Sequence, residues 1–192
     1  MTRMTEQELL VDCLTRLNRI RVKYMLTGSM ASNYWGVPRT THDLDFVVRF
    51  RLADVPSIVA AFQPDYFLQE QSVRAAFEPP FQFNAIDTRS ALKIDFWLLG
   101  EDPFEQEMFV RRTSLTLFGT PAWIASAEDV ILHKLYWHSI TPSDRQLHDA
   151  AGVAAVQAGL LDVSYLRRWA GLLSVSALLE DLLAGRIRVK ST

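Results

Sequence analysis

Asp43 and Asp45 stand two apart at the head of the apolar run DLDFVVRF. Residues two apart in an extended strand point to one face, so both carboxylates aim at one spot while Leu44 turns away into a core. Carboxylates held that close raise each other's pKa unless a cation lies between them. A divalent metal relieves the repulsion, and hard oxygen ligands suit magnesium or manganese. A D-x-D by itself is also what solvated strand-end aspartates look like. A third acid, Asp95, interrupts the strand-like run LKIDFWLL, where an ionised carboxylate is costly unless it is paired or metal-bound. Lys93, two residues earlier and on the same face, is the competing partner. Asp87, which closes the preceding run FQFNAID, reads as a turn residue before it reads as a ligand. Three carboxylates on adjacent strands meet the needs of a two-metal phosphoryl-transfer site: two shared ligands, and a third that holds one ion and attracts the proton of an attacking hydroxyl.

The stretch MLTGSMASNYWG (Met25–Gly36) supplies a complementary feature. It reads as a short buried strand, a Gly-Ser turn and the start of a helix. Gly28 lets the backbone approach a ligand closely, and a helix beginning near Ser29 presents free N–H groups. Together they form an anion site suited to the terminal phosphates of a nucleotide, which metals at Asp43 and Asp45 would bridge from the other side. Arg39 is placed to meet developing phosphate charge. His42 abuts the D-x-D and is either a phosphate contact or a solvent-facing cap. No histidine has a metal-ligand residue four places after it on a helix, the position four after His133 being Trp137. Arg111-Arg112 and Arg167-Arg168 are candidate nucleic-acid contacts, although a charged helix face accounts for each. The aromatics Trp35, Phe96, Trp97, Trp123, Trp137 and Trp169 are dispersed and read as core.

The elements that must position these residues follow from local signals. Thr5 and Glu8 form a capping box for a helix with apolar positions Leu9, Leu10, Cys13, Leu14 and Leu17. VKYMLTG is a strand closed by Gly28, DLDFVVRF a mostly apolar and therefore central strand, and VPSIVAAF a helix. FQFNAID and LKIDFWLL are strands joined through TRSA as a hairpin, and SLTLFG and AWIAS are short extended pieces around FGTP. Beyond Ser126 the pattern is helical throughout: SAEDVILHKLYWH, RQLHDAAGVAAVQ, SYLRRWAGLL and VSALLEDLLAG, the last closed by Gly185. The basic end RIRVKST reads as a solvated terminus.

At 192 residues and 49% apolar composition, the chain can bury a sizeable core without disulfides. Its formal charge of -2 announces no basic field for nucleic acid and excludes none, because local clusters matter more than the sum. The single cysteine, Cys13, is expected as a buried thiol. No apolar run approaches a membrane span, and MTRMTEQELL lacks the apolar stretch of a signal peptide, so a cytoplasmic setting is expected.

These residues resemble the nucleotidyltransferase superfamily of the DNA polymerase β type. Its pattern is a Gly-Ser turn, a D-x-D on the next strand and a third aspartate on a later strand, matched here by TGS (Thr27–Ser29), DLD (Asp43–Asp45) and KID (Lys93–Asp95). VPRTTHDLDFVV is similar to the R-x-T-x-D-x-D form of minimal bacterial members, with Arg39 and Thr41 in the matching places. The helical part is similar to the stand-alone AbiEii-type enzymes, also called the MenT or DUF1814-like group. That resemblance spans about residues 20–172. It implies that Lys134 and Asp149 complete the nucleotide site, Lys134 as a point charge toward the triphosphate and Asp149 orienting Lys134 or a metal-bound water. A snorkelling lysine and a surface acid are the plainer readings of the same two residues. The family often has Arg-Asp-Leu-x-x-Asp where this chain reads Arg145-Gln146-Leu147-His148-Asp149, so its first acid is absent.

The resemblance implies an α/β (α+β) protein: a small mixed-sheet nucleotidyltransferase core with flanking helices over 1–125, and a C-terminal helical bundle over 126–192. It implies transfer of an NMP from an NTP to a hydroxyl with pyrophosphate release, using two Mg2+ or Mn2+ ions. Asp43 and Asp45 would hold both ions, Asp95 would hold one and help deprotonate the nucleophile, and Gly28 and Ser29 would cradle the phosphates. The implied acceptor is RNA, at the 3′ end of tRNA, as for a toxin with a cognate antitoxin. A small-molecule acceptor, as in aminoglycoside nucleotidylyltransferases, would use the same triad. A non-catalytic nucleotide-binding protein of this fold is the remaining alternative. A metal-dependent glycosyltransferase also uses a D-x-D, but it would leave the Gly-Ser turn and Asp95 unexplained.

Overall fold

The computed structural model describes residues 4–187, which leaves the last five residues of the basic end outside the description. The chain divides into two compact units, Met1–Thr27 with His42–Ile124 and Gly28–Thr41 with Ala125–Thr192. The second unit therefore takes in a segment, 28–41, that the sequence reading assigns to the core of residues 1–125. Among the described residues no helix is long and apolar enough to cross a membrane.

The first unit is built on a seven-stranded mixed sheet in the order β3-β4-β5-β2-β1-β7-β6. Its strands are β1 (Lys23–Leu26), β2 (Leu44–Arg49), β3 (Tyr66–Phe67), β4 (Gln82–Asp87), β5 (Lys93–Leu98), β6 (Thr113–Leu117) and β7 (Thr120–Ile124). β2 is central, as its apolar character requires, lying antiparallel to β1 and parallel to β5. β4 and β5 form the expected antiparallel hairpin, and β6 and β7 another.

Strand alternation gives this sheet two unlike faces. Phe46, Phe96 and Phe83 are register partners across β2, β5 and β4, with ring centroids 5.7 and 5.0 Å apart. Helices α1 (Glu6–Arg19) and α3 (Val55–Phe62) cover that side. Phe62 meets Phe96 edge-on at 5.6 Å, and the Tyr24 hydroxyl donates to Asn18 Oδ1 at 3.0 Å. α1 carries the capping box at Thr5 and Glu8 and buries Leu9, Leu10, Cys13, Leu14 and Leu17 as its apolar spacing dictates. The other face is more open and carries the acids.

Besides a single 3-10 turn at Leu52–Asp54, three elements of this unit have weak sequence signals and escape the reading: β3, α4 (Glu70–Ala75) and α5 (Pro103–Arg111). The α5 start is nonetheless encoded, because the Asp102 carboxylate accepts from the N–H groups of Phe104 and Glu105 and Pro103 fills the first helical position.

The second unit is helical: α2 (Gly28–Trp35), α6 (Ala127–Ile140), α7 (Asp144–Val156), α8 (Val163–Leu172) and α9 (Ser176–Leu183). Ser126 caps α6 through the Asp129 N–H, and the fully buried Asp129 carboxylate takes the Tyr165 hydroxyl at 2.5 Å, tying α6 to α8. The end of α2 lies against α7 without space for a side chain. A Cβ on Gly36 would meet Val153 N at 2.7 Å and the Gly152 carbonyl carbon at 2.8 Å. The Gln157 amide donates to the Trp35 carbonyl at 2.8 Å and the Trp35 indole N–H to the Ala125 carbonyl at 2.8 Å, fixing the same junction.

Candidate active site

In the first unit the sheet register sets two of the acids side by side. Asp45 and Asp95 are Cα partners on the adjacent parallel strands β2 and β5, so their side chains leave the same face. Asp43 immediately precedes β2, two residues before Asp45. On the other side of Asp95 its register partner is Asn84 of β4. The Asn84 amide donates to Asp95 Oδ1, and the Lys93 ammonium sits 2.8 Å from Asp95 Oδ2. Asp95 is 7% exposed, so both its oxygens are engaged in a largely dry place. The hydrogen bond with Asp95 holds the Lys93 amine above its ordinary pKa, and the charges of Asp43 and Asp45 add to the pull. The pairing of Asp95 with Lys93 that the two-residue spacing allowed is thus present. At the end of β1 the Thr27 N–H donates to the Asp45 carbonyl at 3.0 Å, so β2 is held by backbone bonds on both sides at the acid.

Asp87 is the turn residue its position suggested. It is fully buried and accepts from the Ser90 N–H and hydroxyl at 2.7 Å each and from Arg89 Nε at 2.6 Å. His42 turns to Glu6, with Nδ1 2.5 Å from Oε1, rather than toward the acids.

Whether this donor set fits a divalent ion can be judged from the side chains themselves. Asp45 and Asp95 leave one face, Asp43 comes two residues before Asp45, and a cation, the Lys93 ammonium, already sits on Asp95. Among the described residues no three acidic, histidine or cysteine side chains are drawn together closely enough to hold an ion as they stand. The chemistry and register suit magnesium or manganese, while the side-chain positions are those of a lysine-neutralised group.

In the second unit a cationic network forms around one carboxylate. Asp149 of α7 takes Arg39 in a two-pronged pair, Nε to Oδ1 at 2.7 Å and Nη2 to Oδ2 at 2.9 Å. It also takes Lys134 Nζ of α6 on Oδ2 at 2.8 Å. Arg39 Nη2 reaches on to Ser29 Oγ at 2.7 Å, and the Asn33 side chain clasps the Arg39 backbone from both its N–H and its carbonyl. Lys134 and Asp149 are both buried, at 5% and 8% exposure, so neither is the surface side chain of the plainer reading. Burial pushes the Asp149 carboxyl up, but the Arg39 hydrogen bonds and the Lys134 charge outweigh it and hold it below the usual range. Gly28 has φ +62°, a left-handed conformation that suits glycine, and α2 starts there. Gly28, Ser29, Arg39, Lys134 and Asp149 thus belong to one unit, with two cations on one acid and a net positive balance beside a helix start. Gln146, where the family resemblance expects an acid, has a buried Oε1 with no hydrogen-bond partner.

Some expectations change. Arg112 does not offer itself to nucleic acid, because its guanidinium stacks on Phe109 and Trp123 at 4.3 and 4.9 Å. Arg167 is paired with Glu180 at 2.7 Å, and Arg168 lies over Tyr165 and Trp169. Trp123 and Trp137 are not core but 40% and 42% exposed. Asn84 was missed; its signal is a polar residue in the strand that the hairpin register must place beside Asp95.

No family profile matches the sequence, and no curated protein is similar to it at that level. Solved structures are similar in fold. The solution structure of the antibiotic-resistance factor ANT(2'')-Ia aligns over 93% of this chain and 97% of its own, at a TM-score of 0.59 and 17% identity. The crystal structure of ANT(2'')-Ia with adenylyl-2''-tobramycin aligns over 86% and 97%, at 0.56 and 14%. An antigenic nucleotidyltransferase-like protein from Paracoccidioides brasiliensis aligns over 97% and 94%, at 0.50 and 13%. This chain has the nucleotidyltransferase fold that these proteins share.

Proposed function

We propose that the protein is a nucleotidyltransferase that moves an NMP from an NTP to a hydroxyl acceptor and releases pyrophosphate. The observation that carries this reading is the register pair Asp45 and Asp95, with Asp43 two residues before, on the open face of a sheet of this fold. Asp43, Asp45 and Asp95 would hold Mg2+ or Mn2+, which when bound neutralises phosphate charge that the side chains alone cannot. The acceptor oxygen attacks the α-phosphorus, the bond from phosphorus to the pyrophosphate oxygen breaks, and Asp95 takes the hydroxyl proton. Gly28 and Ser29 hold the β- and γ-phosphates, while Arg39 and Lys134 offset their charge and Asp149 keeps both cations oriented.

Two acceptors are supported by different observations. The R-x-T-x-D-x-D form and the helical resemblance favour RNA, at the 3′ end of tRNA, and with it a cytoplasmic toxin held by a cognate antitoxin. The alignment with ANT(2'')-Ia along nearly its whole chain favours a small polyhydroxylated acceptor of the aminoglycoside kind. Incubation with each α-labelled NTP, magnesium and either total bacterial RNA or an aminoglycoside panel separates them. Label should enter one acceptor class and fall by on the order of 10³-fold in Asp45→Ala. Label transfer by Asp45→Ala at the wild-type rate would defeat the assignment. Tight NTP binding without turnover on any acceptor would leave the non-catalytic reading.

A further inference from the structure

We propose that Lys93 is a resident counter-cation of the three-aspartate group, which an arriving divalent metal must displace, so that this one side chain sets metal affinity. The inference rests on the metal-binding reading above and adds a residue that reading does not use.

Two observations carry it. The Lys93 ammonium is 2.8 Å from Asp95 Oδ2, and the Asn84 amide occupies the other oxygen. An ion taking Asp95 through Oδ2 therefore contests the position that the lysine holds. The Lys93 side chain is about half exposed, 48%, so packing does not force it there. What holds it is the ion pair with Asp95, which stands opposite Asp45 in the sheet register.

The two partners of Asp95 then have different tasks. Asn84 is neutral, cannot offset the repulsion between the acids, and orients Oδ1. Lys93 offsets it and leaves the group with a net negative balance that still attracts a divalent ion. Without Lys93 the acids would repel one another more strongly and bind metal more tightly.

The test is Mn2+ binding to the full chain without nucleotide, read from the electron paramagnetic resonance signal of free Mn2+. Lys93→Met is expected to bind Mn2+ roughly three- to fivefold tighter than wild type, the scale of one partly exposed ion pair, and Lys93→Arg within about twofold. Melting in EDTA and in Mn2+ is the second measurement. Lys93→Met should melt lower than wild type in EDTA and gain more from Mn2+. An ordinary surface salt bridge would give the first change without the second. Equal Mn2+ affinity and equal Mn2+ response in wild type and Lys93→Met would overturn the proposal alone. Absence of Mn2+ binding in both, matched by Asp45→Asn, would overturn it together with the metal reading of the carboxylates.

Discussion

Asp149 serves two buried or half-buried cations at once, and removing it is a different experiment from removing either cation. In Asp149→Asn the Lys134 ammonium keeps its burial and loses the carboxylate it is paired with, while Arg39 loses both prongs. Stranding a buried charge costs several kcal/mol, so a loss of about 3 kcal/mol is expected in urea unfolding at neutral pH. Lys134→Met leaves Asp149 its paired guanidinium and inserts an apolar chain of similar length, and should cost about 1 kcal/mol or less. Equal costs would mean that the lysine is not held by the acid. Both variants should weaken NTP binding, which separates stability from function. The sequence reached these residues unequally. The aspartates on the sheet were legible because the two-residue period of a strand determines which side chains share a face. The partnership of Arg39 with Asp149 was not, because the two lie 110 residues apart and no local pattern joins them. Lys93 was legible as the competing partner of Asp95, and only side-chain positions could show that it takes that part.

Local signals decided the elements. The α1 capping box, the VPSIVAAF helix, the central β2 and the β4–β5 hairpin are all where caps, periodicity and turns put them. β3 has only two residues and no periodicity to detect, and α5 shows its cap but only a thin apolar stripe of Phe104, Met108 and Phe109. The join between α2 and α7 was invisible for another reason: a glycine required by close approach looks in sequence like any other loop glycine. Gly36→Ala is therefore predicted to be costly although the change is a single methyl. Its Cβ would lie 2.7 and 2.8 Å from α7 backbone atoms, which cannot swing aside as a side chain would. The helices must separate, at about 1–3 kcal/mol by the general cost of overpacking. A control at Gly171, where an added Cβ meets nothing, should stay within about 1 kcal/mol of wild type, and could gain stability as a helical Gly→Ala change. Similar melting temperatures for Gly36→Ala and wild type would show that the α2–α7 junction has room for a methyl group.

Across the molecule, buried or half-buried charge is paired in each unit: Asp95 of the sheet holds Lys93, and Asp149 of the helices holds Lys134. The response of the protein to acid should then be governed by groups whose protonation differs between the folded and unfolded chain. His133 is such a group. Burial first, and the Lys134 charge second, push it down to about 4. Its Nε2 accepts the Trp137 indole N–H at 2.8 Å, which requires a free lone pair on that nitrogen. The unfolded histidine has a pKa of about 6.5, so between roughly pH 6.5 and 4 the unfolded chain binds a proton that the folded chain refuses. Stability is therefore present above that window and falls as pH descends through it, levelling off below 4. A shift of this size corresponds to at most about 3 kcal/mol, and to about 1–2 kcal/mol for a half-buried ring. Asp149 acts lower down: its carboxyl is held below the usual range, so its contribution is full above the ordinary carboxylate pKa near 3.9 and is lost only in stronger acid. Urea unfolding followed from pH 7.5 to 4.5 should show the decline in wild type and a flatter profile in His133→Leu, where water can take over the exposed indole N–H. Parallel profiles for the two proteins would mean that His133 accepts a proton in the folded state, and that the hydrogen bond from Trp137 does not hold it neutral.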